Sequence, residues 1–487
     1  MAFYILNKGF ELRGWDGLPF ALRYPRPHLA DFFDQETYRV VYALDGRHDI
    51  ETEKLTDRQK TLLERLEKMK IALPSDGKER LEPHQEYRKY PGMYKNMVQW
   101  SITGRCNYNC RHCFMSAPDY RGEDLTLEEC KRIVDQLEEN GILSVSLTGG
   151  EPLVNPHFYA ILDMIKERGM YLDTLYSNGA LIDGHLLDEL ENRNMHPVFH
   201  ISFDGVRWHD WLRGEEGAQE AAIRAFRLLK ERGYHTSSSM CLHKHNIADL
   251  RENINLLASL GLEHVKMNVA SPTGRWKNET AHFITHAEAN EAIIEYLPHY
   301  FEDGMPISVQ LCTFLEINKE KGSMRVPAQK FSGREGAEKE FACGMVKTGM
   351  YISPKGKVLP CMTLGGTAID AEFESILEQD LKEILTASHY RDICSVKMGD
   401  CIHRNGKCHD CRYRLQCGAG CRACACGETS TDYYGIDEES CRFFLDGWYD
   451  RAKELIEQYK DRLETHAEVA FRPVILRGFR QKKGTFI

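Results

Sequence analysis

At 487 residues, with 42% apolar and 28% charged side chains, the chain has the length and composition of a globular protein of more than one domain. A net charge of −10 argues against a nucleic-acid partner, because phosphate binding needs a basic face. No apolar run is long enough to span a bilayer. The N-terminus soon meets Lys8, Glu11, Arg13 and Asp16, so it lacks a signal-peptide core and a cytoplasmic location is expected. In that reducing compartment the 17 cysteines, most of them clustered, read as metal ligands rather than disulfides.

The first elements have strand character, broken at "GWDG". "DQETYRVVYALDG" (34–46) predicts a capped helix ending at Gly46, and "TDRQKTLLERLEKMKIALP" (56–74) a second helix running into a short strand. Their hydrophobic spacing and the "DG" resemble the PqqD-like peptide-recognition element, a small winged-helix domain. The resemblance implies an α+β domain over 1–83 that binds the leader of a precursor peptide as an added strand. The plainer alternative is an extension that only packs on the larger domain C-terminal to it. Residues 84–96 are the expected linker.

Six short apolar or β-branched runs come next: "NMVQWSIT", "GILSVSLT", "YLDTLYS", "PVFHISF", "HTSSSMCL" and "HVKMNVA". Amphipathic helical stretches separate them. This α/β rhythm predicts a parallel sheet covered by helices, a partial (β/α)6 barrel over 97–310, with chemistry on the loops after the strands. Those loops carry Cys106, Cys110 and Cys113, then "TGGEP" (148–152), "YSNG" (176–179), "ISFDG" (201–205) and "SPTGR" (271–275). Cys130 and Cys241 sit in apolar surroundings and read as core thiols.

The cysteines of "GRCNYNCRHCFM" stand at C-x3-C-x2-C. Three thiolates leave one iron of a 4Fe–4S cluster open to a ligand. With GGEP after the next strand, this loop resembles the radical S-adenosylmethionine (SAM) superfamily. The resemblance implies that Cys106, Cys110 and Cys113 hold a cluster whose open iron chelates SAM, and that a 5′-deoxyadenosyl radical abstracts a substrate hydrogen. It also implies cofactor contacts from His112, Gly149, Gly150, Glu151, Ser177, Asn178, Ser202 and Asp204, and an electron donor such as flavodoxin or ferredoxin. A partial zinc site completed by a distant histidine is the alternative for the three cysteines, but it leaves GGEP unexplained.

A second cysteine field starts at Cys343. Cys343, Cys361, Cys408, Cys411, Cys417, Cys421 and Cys441 resemble the SPASM domain, expected over 311–445, with a helix and tail over 446–487. The family's ligand sets place Cys343, Cys361 and Cys421 on a first auxiliary 4Fe–4S cluster, and Cys408, Cys411, Cys417 and Cys441 on a second. That makes three clusters in all. Anaerobic sulfatase maturases carry one further cysteine, where this chain has Ala337. Cys312, Cys394, Cys401, Cys424 or Cys426 is then the candidate fourth ligand of the first auxiliary cluster, or its iron is open to a substrate thiolate. Met362 stands where those maturases have a catalytic Asp, which counts against formylglycine formation; no acid or base is selected by spacing. The expected function is a peptide maturase that installs a cross-link, with a thioether favoured over carbon–carbon or carbon–oxygen bonds. Two alternatives are an enzyme of the same type acting on a folded protein or small molecule, and a non-catalytic zinc or iron–sulfur scaffold.

Overall fold

The computed structural model describes residues 2–24, 30–120, 122–331, 336–427 and 430–464. The part of the expected helix and tail beyond residue 464 lies outside them.

Seven parallel strands stand side by side in chain order: β1 (Met97–Ser101), β2 (Ser144–Thr148), β3 (Tyr171–Ser177), β4 (Val198–Ser202), β5 (Thr236–Leu242), β6 (His264–Val269) and β7 (Ser308–Leu311). The first six are the predicted ones. β7 was not predicted, because "SVQL" is too short to show a period. Along each strand alternate residues face the covering helices. Phe199 and Ile201 of β4, Met240 and Leu242 of β5, and Val265 and Met267 of β6 are fully buried there. Each such side chain contributes roughly 1.5–3 kcal/mol of burial. The intervening residues line the inner face of this partial (β/α) barrel.

The sheet continues past both ends of the parallel set. Leu315–Asn318 and Ser323–Arg325 add antiparallel strands beyond β7. On the other edge Gly349–Ile352, from the cysteine-rich half, pairs in parallel with β1.

The N-terminal part has its own core, built on Leu6, Leu44, Leu62 and Leu66. Phe3–Leu6 lies between Asp45–Asp49 and Ala72–Ser75 in one sheet, and a four-stranded sheet stands beside it. The helix over Asp57–Lys68 and the strand after it match expectation. The first helix does not reach Gly46. It ends at Tyr42, and Asp45–Asp49 is a strand in which Gly46 adopts φ +79° against the Glu79 carbonyl. The expected linker is also structured: Arg88–Lys89 pairs with Arg13 and Gly14. Among the described residues no helix is long and apolar enough to cross a membrane.

Candidate active site

The loop after β1 carries Cys106 and Cys113, both half-buried, and Cys110, buried, around Tyr108, Ala180 and Ala218. Backbone amides already aim at the sulfurs: Tyr108 N–H donates to Cys106 Sγ at 3.4 Å and Ala117 N–H to Cys113 Sγ at 3.2 Å. Burial pushes the free Cys106 thiol up to about 12, with Cys110, Glu151 and Cys113 adding to the rise. Three thiolates packed this way are unfavourable without a positive centre between them, and an iron–sulfur cluster provides one. The donors fit the group.

GGEP braces this loop from behind. Gly150 N–H donates to the Thr103 carbonyl at 3.0 Å and Glu151 N–H to the Arg105 carbonyl at 2.9 Å. The close approach expected of these glycines is thus made to the cysteine loop itself. A Cβ on Gly150 would stand 2.1 Å from the Arg105 oxygen, and one on Gly149 2.5 Å from the Thr103 oxygen. Gly150→Ala is expected to displace the loop, cost about 1–3 kcal/mol of stability and lower 5′-deoxyadenosine release at least about tenfold. Gly184→Ala, where an added methyl meets nothing within 4 Å, is the control; equal behaviour of the two in a release assay refutes the bracing role.

Glu151 has no solvent exposure. Its carboxyl accepts from Leu153 N–H at 3.2 Å, Ser177 Oγ at 3.0 Å and Asn178 N–H at 2.8 Å. Burial pushes it up to about 7 against the pull of those three donors. A carboxylate has about four acceptor positions, so one remains for a ligand. Asn178 also donates to Asn107 Oδ1 at 2.8 Å, which ties the third strand's loop to the first. Ser202 stands half-buried at the end of β4.

Asp204 is placed differently from expectation. It is fully buried, accepts from Arg213 Nε at 2.7 Å and from Cys241 N–H at 2.8 Å, and so supports Arg213 rather than facing a ligand. Burial opposes its ionisation, but the Arg213 charge holds it well below the usual carboxylate range. Arg213 in turn reaches within 3.9 Å of Cys110 Sγ. Sequence reading missed this arginine; its place on the short helix after "ISFDG" was the available signal. His112, Asp204 and Cys241 bring three ligand atoms within 4.8 Å of one another. Arg213 already supplies the positive charge a cation would bring there. Burial, with Arg213 next, pushes His112 down to about 3, so its ring is neutral.

In the C-terminal field Cys408, Cys411, Cys417 and Cys441 line one cavity of about 350 Å³, together with Ile436 and Phe444. That is the donor set and the space a four-iron cluster needs. Cys361 lies within electrostatic reach of Cys421 and Cys343, and its thiol is pushed up to about 12, first by burial. Ala337 is packed with Met398 and Ile402. Cys312, the first of the candidate fourth ligands, follows β7 and lies within electrostatic reach of Cys241. Cys394 lies near Cys343, and Cys424 contacts Cys421. Lys95, fully buried, donates to Val346 O at 2.6 Å, Gly349 O at 3.1 Å and Cys394 Sγ at 3.5 Å.

The model of the radical SAM superfamily matches residues 100–257, and that of the SPASM iron–sulfur cluster-binding domain matches 343–412. An AdoMet-dependent heme synthase of Methanosarcina barkeri is 28% identical over 357 residues, 70% of this chain and 95% of the relative. AlbA, the antilisterial bacteriocin subtilosin biosynthesis protein of Bacillus subtilis, is 26% identical over 324 residues, 64% of this chain and 66% of AlbA. Among solved structures, Streptococcus suis SuiB bound to precursor peptide SuiA superposes with a TM-score of 0.61 at 17% identity, covering 91% of this chain and all of SuiB. The two domain matches imply S-adenosylmethionine and 4Fe–4S clusters as cofactors. The chain thus carries a radical SAM domain and, C-terminal to it, a SPASM iron–sulfur cluster-binding domain.

Proposed function

We propose that this enzyme matures a ribosomally made peptide, installing an intramolecular cross-link for which a thioether is favoured over a carbon–carbon or carbon–oxygen bond. The observation that carries the reading is the co-occurrence, in one chain, of a braced three-thiol loop, two further thiol sets and a separate N-terminal sheet. In that sheet Asp45–Asp49 lies on an edge, where a leader peptide could add as a strand. Similarity to AlbA and the fold shared with SuiB support the peptide substrate. The division into 1–83, 84–96, 97–310, 311–445 and 446–487 belongs to the same proposal, as do a cytoplasmic setting and a flavodoxin- or ferredoxin-type electron donor.

Three 4Fe–4S clusters are assigned to Cys106, Cys110 and Cys113; to Cys343, Cys361 and Cys421; and to Cys408, Cys411, Cys417 and Cys441. When loaded, the first cluster and SAM supply a 5′-deoxyadenosyl radical. Around them the chain's own groups orient and shield. The free acceptor position of Glu151 suits an ammonium group, and the Gly149–Gly150 backbone holds it in line. Arg213 offers a fixed cation to a carboxylate, with Asp204 steadying it. Asn178, Ser177 and Ser202 present small polar groups at the strand ends, and neutral His112 offers a ring beside the cluster. The first auxiliary set takes its fourth ligand from Cys394 or Cys424, which lie beside it, or leaves an iron open for a substrate thiolate.

The test is anaerobic incubation of the reconstituted enzyme with SAM, reductant and short cysteine-containing peptides. A product lighter by two hydrogen atoms, with 5′-deoxyadenosine formed alongside, is the expected result. Failure of the peptides to bind or change refutes the peptide reading.

A further inference from the structure

The inner face of the barrel carries a basic group without a counter-charge. Lys266 lies mid-strand on β6, half-buried, between Val265 and Met267, which face the helices. It therefore projects from the inner face. Among the described residues no carboxylate lies within ion-pair distance of it. Its neighbours in register are Ser239 on β5 and Gln310 on β7. Ser239 holds His200 Nε2 at 2.6 Å, and Ser237 holds Nδ1 of the same ring at 2.7 Å, so His200 is clamped in the plane of this face. Its register partner on β3 is Tyr176, with ring centroids 5.0 Å apart. His264 lies one layer deeper on β6.

The charges around Lys266 are all accounted for. Glu316, paired in register with Gln310, is held by Arg325, with Arg325 Nε 3.0 Å from Glu316 Oε1. Asp173, three strands away on β3, accepts from Thr174 Oγ1 at 2.9 Å. Burial, and then His264 and Lys266, push His200 down to about 4; burial lowers His264 against the opposing pull of Glu316, and Lys266 adds to the lowering. Two neutral imidazoles and an ammonium thus share one wall with hydroxyls and an amide. A half-buried ammonium whose neighbours on this wall are all neutral is stabilised by an anion arriving from outside.

We propose that Lys266, with Ser239 beside it and Ser202 one strand further on, is a carboxylate-binding subsite for the substrate. It rests on the reading that the inner face receives the substrate, and it narrows the substrate class to one bearing an aliphatic carboxylate near the reacting carbon. Ser202 leads directly into Phe203 and Asp204, the support of Arg213 at the cysteine loop, so a group held here lies just below the cluster loop.

The carboxylate can come from an Asp or Glu side chain of a peptide or from a tetrapyrrole propionate, and two arms separate these sources. In the first, a displayed library of randomised short peptides is panned on the anaerobic holoenzyme with SAM, for wild type, Lys266→Met and Lys266→Glu. In the second, iron coproporphyrin III is titrated against the same three proteins by absorbance. The expected result is enrichment of Asp or Glu at one peptide position in wild type, lost in Lys266→Met and replaced by Lys or Arg in Lys266→Glu, with porphyrin binding indifferent to residue 266. Porphyrin binding weakened about tenfold or more in Lys266→Met, with no acidic preference in the peptides, keeps the subsite and overturns the peptide reading. Indifference to residue 266 in both arms overturns the subsite. Thermal unfolding and iron content identify a misfolded variant, and Lys266→Met alone decides the matter if the charge reversal does not fold.

Discussion

Replacing Cys106, Cys110 and Cys113 together with alanine should lower the iron of the reconstituted protein from about twelve to about eight per chain and abolish 5′-deoxyadenosine release. The thiols of this loop are each other's neighbours and are remote in sequence from the other two sets, so their loss removes one cluster and leaves the rest of the iron in place. The alanines fill less volume than cysteine, but the loop keeps its backbone hydrogen bonds to Gly150 and Glu151 and the fold is expected to survive. Iron and sulfide analysis with a chromatographic nucleoside assay reads both quantities from one sample. Zinc in place of iron, or nucleoside release that survives the triple change, removes the basis for the proposed chemistry. A fall by much more than four irons means that the three sites do not load independently.

The second large effect is expected at Asp204. Removing its charge as Asp204→Asn leaves Arg213 buried and unpaired beside Cys110, at a cost of about 3–5 kcal/mol. The Arg213→Met, Asp204→Asn double variant removes the orphaned charge and should recover much of that stability. Nucleoside release should not recover, because the cation beside the cluster loop is gone. Anaerobic denaturant titration gives the stabilities and the release assay the activity. A double variant no more stable than Asp204→Asn shows that the pair is not what holds this corner, and an active double variant removes Arg213 from the site.

Much of this arrangement is readable from the chain because the barrel's order is local. Each predicted strand is followed by its own helix and its own loop, and alternation within "HTSSSMCL" or "PVFHISF" separates the helix side from the inner side. The cysteine sets are readable because ligand spacing is a local constraint as well. What escapes is whatever depends on a partner far along the chain. The misread helix at 34–46 has helical periodicity up to Tyr42, but Asp45–Asp49 is recruited as a strand by Phe3–Leu6, and no property of "DGRHD" announces that pairing. Asp204 reads as a small polar group suited to a ligand until Arg213 is seen to fold back on it. Lys95, in what looks like a linker, is a fully buried contact to the cysteine-rich half. Spacing also left the neighbour of Cys343 undetermined, because Cys394 reaches it only in three dimensions.

The pairing of Gly349–Ile352 with the first barrel strand bears on how the protein is made. Met97–Ser101 leaves the ribosome long before its neighbour; contacts across this edge join residues as much as 254 positions apart. At ordinary elongation rates of about 5–20 residues per second, the strand that leads into the cysteine loop waits on the order of tens of seconds with one edge bare. An unpaired edge is a template for association with other chains. The nascent barrel is therefore most vulnerable just before the SPASM half emerges, and the segment that brings Cys343 is also the one that covers it.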